Sequence, residues 1–184
     1  MSAQITTQLN TNPRIYVACL AAYNNGYLHG KWIEVSGCEK ELELEIKEII
    51  DTSTAEYAEE WAIHDHEGFE GYHIAEYMSI PTICRIAELM NENGNFPSNV
   101  VASLIQDFGT DSVNEWLEDH FVGSYKDMED YAYEYLESSG ELSNLPESLQ
   151  YYFDYKAYAR DLDLNGDIIT IDGNDGLLYI FNNY

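Results

Sequence analysis

Residues 161–172 have the residue types and spacing of a calcium-binding loop. Oxygen-bearing side chains occupy its first, third, fifth and twelfth positions: Asp161, Asp163, Asn165 and Asp172. Such oxygens suit a hard cation, and the glycine at the sixth position permits the sharp turn. However, an EF-hand needs a helix after its loop, and residues 173–181 instead predict a turn and a strand. The twelfth residue is also Asp rather than the longer Glu. A calcium-binding regulatory module is therefore the alternative interpretation of the chain.

Two histidines on one predicted strand could belong to a metal site. His64 and His66 flank Asp65 and lie on the same face of that strand. The other three histidines have no recognised metal-ligand spacing, so structural or surface roles are favoured. The sequence contains no G-x-S-x-G, P-loop or G-x-G-x-x-G motif and no Cys/His nucleophile arrangement. We therefore predict that the protein is not an enzyme and has no cofactor.

The composition is strongly acidic. The 184 residues include 34 Asp and Glu but only 8 Lys and Arg, a formal net charge of −26. This balance argues against direct binding to nucleic acid or anionic membranes, which require basic residues. With 45% hydrophobic and 14% aromatic residues, the chain should fold around a core. B-DNA carries about one charge per 1.7 Å, so this charge matches roughly 44 Å of duplex. An acidic protein adapted to high salt is a further alternative.

Two predicted helices, residues 111–121 and 126–137, concentrate the acids on one side. The predicted buried positions are Val113, Trp116, Leu117 and Phe121 in the first helix, and Met128, Ala132, Tyr135 and Leu136 in the second. Acids three or four residues apart repel each other, and few cations offset them. We name these candidate residues the acidic surface: Asp107, Asp111, Glu115, Glu118, Asp119, Asp127, Glu129, Asp130, Glu134 and Glu137.

The hydrophobic pattern predicts an α+β protein with three successive parts, which the family resemblance described below implies are three small domains in an elongated chain. Residues 1–73, of which 1–13 are expected to be frayed, should form a sheet-plus-helix unit with strands at 14–22, 31–35 and 60–66 and a helix at 39–50. Residues 74–121 should form a helical middle domain, with helices beginning at Ile80 behind a Ser79 cap, at Asn99 and at Asp111. Residues 122–184 should contain helices at 126–137 and 148–160 and a hairpin of strands 167–171 and 177–181.

No apolar stretch is long enough to cross a membrane, and the first 14 residues lack the apolar region of a signal peptide. The three cysteines, Cys19, Cys38 and Cys84, fit neither a disulfide framework nor a zinc site. We therefore expect a cytoplasmic protein with free thiols.

Three segments resemble the ArdA-type antirestriction proteins of plasmids and conjugative transposons. They are RIYVACLAAYNNGYLHGKWIE (14–34), EWAIHDHEGF (60–69) and LQYYFDYKAYARDLDLNG (149–166). In other members the position of His66 is often Tyr and residues 165–172 are less calcium-like, which weakens both metal interpretations.

The resemblance implies an elongated three-domain dimer that mimics bent B-DNA. Such a protein binds Type I restriction-modification enzymes in their DNA cleft and protects incoming mobile DNA. The family offers no catalytic residue, so the acidic surface would stand in for phosphates. The dimer contact is expected in the final third, which holds ten of the 16 tyrosines.

Overall fold

The computed structural model describes residues 12–184. It divides into two compact units, Met1–Ser98 and Asn99–Tyr184. Within the described range the chain is mixed α+β, with eight α-helices and two three-stranded antiparallel sheets. The α+β class is therefore confirmed. The division into domains at residues 73 and 121 stays a prediction, and most of the start that was expected to be frayed lies outside the described residues.

The first unit is built on a three-stranded sheet whose central strand contributes buried residues to the core. The strands are β1 (Arg14–Cys19), β2 (Gly30–Glu34) and β3 (Trp61–Glu67), in the order β2-β1-β3. Its helices are α1 (Leu20–Asn24), α2 (Glu39–Asp51) and α3 (Ile80–Glu92). Ile15 and Val17 of β1 are fully buried. The buried face of α2, which includes Leu42 and Ile46, covers the sheet, and α3 packs against α2.

The predicted strands and helix of this unit are confirmed, with one correction. The strand predicted over residues 14–22 ends at Cys19, and the chain turns into α1. The apolar run LAA suits a short buried helix as well as a strand, so its composition did not distinguish the two. The Ser79 cap is confirmed, because its hydroxyl accepts a hydrogen bond from the Thr82 backbone N–H at 3.4 Å.

The second unit has a sheet flanked by helices. Its strands are β4 (Phe121–Tyr125), β5 (Ile168–Asp172) and β6 (Leu178–Asn182), in the order β4-β6-β5. The helices are α4 (Ser98–Phe108), α5 (Val113–Glu115), α6 (Met128–Ser139), α7 (Glu147–Gln150) and α8 (Tyr155–Asn165). Residues Trp116–His120 form a π-helical turn and Glu141–Asn144 a 3-10 turn. Ile180 and Phe181 of the central strand are fully buried.

Three predictions for this unit needed correction. The helix predicted over 111–121 is a short α5 followed by the π-helical turn, because Phe121 becomes extended and pairs with Phe181. The predicted hairpin is present, but β4 adds a third strand that the sequence did not predict. The helix predicted over 148–160 is interrupted, because the Asp154 side chain accepts the Ala157 backbone N–H at 3.0 Å and starts a new helix there.

Candidate functional site

Helix α6 presents one buried face and one acidic face. Asp127 caps its start, with a carboxylate oxygen 2.9 Å from the Asp130 backbone N–H, and Gly140 ends it in the left-handed conformation at φ 68°. Tyr131, Ala132 and Leu136 are buried. Tyr135, which was predicted to be buried, is instead 39% exposed. The helix therefore packs through a narrower stripe than expected and leaves its acids in solvent.

The π-helical turn Trp116–His120 is held by aromatic stacking. The Trp116 ring stacks on Phe108, with centroids 3.9 Å apart, and on His120, with centroids 4.3 Å apart. The Nδ1 of His120 donates a hydrogen bond to the carbonyl oxygen of Asn182 at 2.8 Å, which ties the turn to β6. The neighbouring Glu118 and Asp119 are exposed. A wider helical turn here inserts Trp116 into the core while the acids remain in solvent.

All ten predicted residues of the acidic surface are exposed, and all lie in the second unit. This unit contains 18 acidic and three basic residues, a net charge of −15, and each of the 18 acids is exposed. Among residues 12–184, Asp127 is the one member of the acidic surface with an ion pair, at 3.9 Å from Lys126. That pair joins two exposed neighbours, so its contribution to stability is small. The negative charge is therefore largely uncompensated.

Two basic residues of the first unit, Arg14 and Lys31, are used differently. Arg14 of β1 pairs with Glu67 of β3, and Lys31 of β2 lies 3.1 Å from Glu45 and 3.0 Å from Glu48 on α2. These pairs connect separate elements. In the second unit the described ion pairs join sequence neighbours, as in Arg160 with Asp161 at 3.0 Å. The charge is thus more strongly unbalanced in the unit that carries the acidic surface.

The negative charges of the acids contribute to the raised pKa of two nearby tyrosines. Burial, followed by the charges of Glu134 and Asp130, raises the pKa of Tyr125. Burial and then the charge of Glu137 raise the pKa of Tyr155. Both shifts favour the neutral phenol, as expected beside like charge. The arrangement can attract cations, but it presents no activated nucleophile.

The calcium-type loop has a different structure from an EF-hand. Asp161, Asp163 and Asn165 lie on the last turns of α8, and Asp172 ends β5. Asp161 pairs with Arg160. Within the described part of the chain, no group of three or more His, Cys, Asp or Glu residues could hold a metal ion. The calcium alternative therefore has no support; the segment is the end of a helix followed by a turn and a strand.

The histidines of the predicted pair line a common cleft in the first unit, but they do not form a metal site with a third ligand in the described residues. The sequence analysis did not predict that His73 lies beside this pair. The ring centroids of His66 and His73 are 5.9 Å apart. The glycine-rich residues 68–71 were the signal that the chain reverses between these two histidines.

Comparison with known proteins identifies the family of this acidic chain. The family model described as antirestriction protein (ArdA) matches residues 15–174. The chain belongs to the ArdA family. Membership implies an antirestriction role and an interaction with restriction enzymes, and the family consists of inhibitors rather than enzymes. A comparison with individual curated proteins gave no match. In residues 12–184, no helix is both long and apolar enough to cross a membrane.

The ArdA match covers both compact units. It begins within β1 and ends after β5, so it includes all ten residues of the acidic surface and the histidines of the first unit. The resemblance predicted from three short segments is thus confirmed at the level of the family.

Proposed function

We propose that this ArdA protein blocks Type I restriction-modification enzymes by occupying their DNA-binding cleft with its acidic surface. Such a cleft binds phosphates through Lys and Arg, and these cations would meet carboxylates instead. The observation that carries the proposal is the exposure of all 18 acids in the second unit, with a net charge of −15. By the charge spacing of B-DNA, that unit alone corresponds to roughly 25 Å of duplex.

The spacing of the acids suits this role. Asp130, Glu134 and Glu137 follow one another at intervals of four and three on α6, which places neighbouring Cβ atoms roughly 5–6 Å apart. Like charges at this spacing destabilise a helix, so the stability of the fold does not account for their presence. Because each exposed carboxylate contributes little binding energy by itself, we expect the inhibition to depend on many acids together.

We also propose how the protein assembles and where it acts. We expect an elongated, three-domain homodimer that protects mobile DNA entering a cell, working in the cytoplasm where restriction occurs. The dimer contact would use the tyrosine-rich final third, where Leu149, Tyr151 and Tyr152 are 54%, 86% and 79% exposed. Exposed apolar groups of this kind mark interaction surfaces. Light scattering at micromolar concentration should give a dimer, and a monomer would contradict this part of the proposal.

A restriction assay tests the proposal directly. Purified protein is titrated into a Type I enzyme acting on unmodified DNA, and excess competitor DNA is added in a parallel series. We expect inhibition near stoichiometric amounts that competitor DNA relieves. A folded dimer that inhibits none of several Type I enzymes would refute the proposal, as would inhibition that competitor DNA leaves unchanged.

Two matched variants locate the inhibitory surface. The first replaces Glu115, Glu118, Glu134 and Glu137 with Gln, and the second replaces Asp161, Asp163, Asp167 and Asp172 with Asn. Each variant removes four exposed charges. We expect the first to weaken inhibition strongly and the second to leave it nearly unchanged. Equal losses would mean that net charge, rather than the acidic surface, is responsible.

A further inference from the structure

The first unit contains a cleft of about 560 Å³, whereas the residues of the acidic surface belong to the second unit. It is bordered by α1, by β3 and by the segment after β3, which returns along that strand with the Ile63 backbone N–H donating to the Glu76 carbonyl at 2.9 Å. We call it the histidine cleft, lined by Tyr23, Ile63, His64, Asp65, His66, His73, Ile74 and Glu76.

Three of the five histidines line this cleft, and in the described residues their ring nitrogens have no hydrogen bond or ion pair. The His64 ring meets Tyr23 edge-on with centroids 4.7 Å apart, and His66 lies 5.9 Å from His73. By contrast, His29 hydrogen-bonds the Ile49 carbonyl at 2.7 Å. The cleft thus presents imidazole nitrogens that form no hydrogen bond with any group of residues 12–184.

The backbone around the cleft is shaped to bring these side chains together. The β1–β3 register shifts between Tyr16 and Val17, so that His64 is an extra residue in β3, a type of irregularity frequent beside binding sites. After β3, Gly68 and Gly71 have φ values of 77° and 94°, and Glu70 between them has φ 47°. A non-glycine residue in the left-handed region is strained. This turn carries His73 back to His66.

The charges of the cleft select a cation. Asp65 and Glu76 contribute two carboxylates, and none of the lining residues is Lys or Arg. One Asp65 oxygen accepts the His66 backbone N–H at 2.8 Å, which orients the carboxylate. An anion would be repelled here, while neutral imidazoles can accept hydrogen bonds from a cation. The aromatic faces favour a planar guanidinium over a compact ammonium.

We propose that the histidine cleft binds an arginine side chain of the restriction enzyme, with Asp65 and Glu76 pairing the guanidinium and Tyr23 and the imidazoles packing against it. This inference rests on the proposed function for the identity of the partner. It adds a single specific anchor in the first unit to the distributed acidic surface in the second.

Binding to a Type I enzyme tests the anchor. Asp65→Asn with Glu76→Gln should weaken the affinity about tenfold, the effect of one charge-assisted hydrogen bond. The matched control, Glu39→Gln with Glu43→Gln, removes two exposed acids of α2 and should change it about twofold or less. A triple variant with Gln at His64, His66 and His73 should also weaken the affinity, because it removes the rings that pack against the guanidinium. Equal losses of affinity in the cleft variants and the control variant would overturn the proposal.

A second measurement needs no restriction enzyme. Arginine methyl ester is titrated into the native protein while the histidine side-chain NMR signals are recorded, with citrulline as the uncharged comparison. We expect saturable shifts of the cleft histidines with arginine methyl ester and none with citrulline. If the native protein binds the ester but does not inhibit the restriction enzyme, the proposed function is refuted and the cation site in the histidine cleft is retained. If the protein inhibits the enzyme but its histidine NMR signals do not shift with the ester, the proposal for the histidine cleft is refuted instead.

Discussion

Neutralising acids near the end of α6 should stabilise the protein while weakening its inhibition. The perturbation is Glu134→Gln with Glu137→Gln, at two exposed positions with no hydrogen bond or ion pair among the described residues. It removes the like-charge pairs Asp130–Glu134 and Glu134–Glu137, each worth about 0.2–0.5 kcal/mol of repulsion. Glu137 also lies in the last turn, where the helix dipole disfavours an acid by about 0.3–1 kcal/mol.

These terms sum to a gain of about 0.7–2 kcal/mol in the free energy of unfolding. For a chain of this size, such a gain raises the midpoint of thermal unfolding by roughly 1–8 °C. Urea and thermal unfolding at low ionic strength measure the gain. In about 1 M salt, where the Debye length is about 3 Å, the difference between variant and native protein should shrink. In the restriction assay the same variant should need a higher concentration for half inhibition.

Glu129→Gln provides the control on the same helix. It also removes one exposed charge, but from the first turn, where an acid is favoured by the helix dipole, so the protein should lose about 0.3–1 kcal/mol. A loss of stability in the double variant would refute the electrostatic reasoning. Gained stability with fully retained inhibition would show that these two acids do not contact the enzyme.

Three further predictions address the ends of helices, the thiols and the calcium-type loop. Gly140→Ala places a Cβ at φ 68° and should lower the free energy of unfolding by about 1–2 kcal/mol, measured by urea titration. At pH 8 a thiol reagent should label exposed Cys38 rapidly, whereas Cys84 should react only on unfolding, because burial and nearby acids raise its pKa to about 11; equal rates would contradict this. Asp161→Asn with Asp163→Asn should leave inhibition intact, and calorimetry should detect no calcium binding that depends on these two residues.

The sequence predicted elements well where the hydrophobic period and the end signals agreed. Helix α3 begins behind Ser79 as predicted, and α2 follows the apolar period of Leu42 and Ile46. Strand β4 escaped prediction because its first residue, Phe121, also continued the helical stripe of the preceding segment. Its choice of an extended conformation depends on pairing with Phe181, 60 positions later. A local pattern does not contain that long-range contact.

The candidate site was predictable in composition but not in arrangement. The exposure of the acidic surface followed from helical periodicity. Glu118 and Glu134 lie outside the apolar stripes that contain the buried Leu117 and Leu136. The histidine cleft was only partly predictable: the glycines of residues 68–71 indicate a chain reversal, but the register shift in β3 and the left-handed conformation of Glu70 cannot be seen in the sequence. Neither the extra residue nor the left-handed conformation leaves a mark in the residue types of His64–His66.

The scarcity of specific contacts around the acidic surface has a consequence for how this protein can evolve. Because most of its carboxylates form no hydrogen bond or ion pair with another side chain of the described chain, an acid can be exchanged for its homologue, or shifted to the next outward position, at little cost to folding. Selection would then act on the total and spread of charge rather than on the identity of each residue. The buried strands have no such freedom. Related inhibitors should therefore be recognisable by their cores even after their surfaces have diverged to match new restriction enzymes.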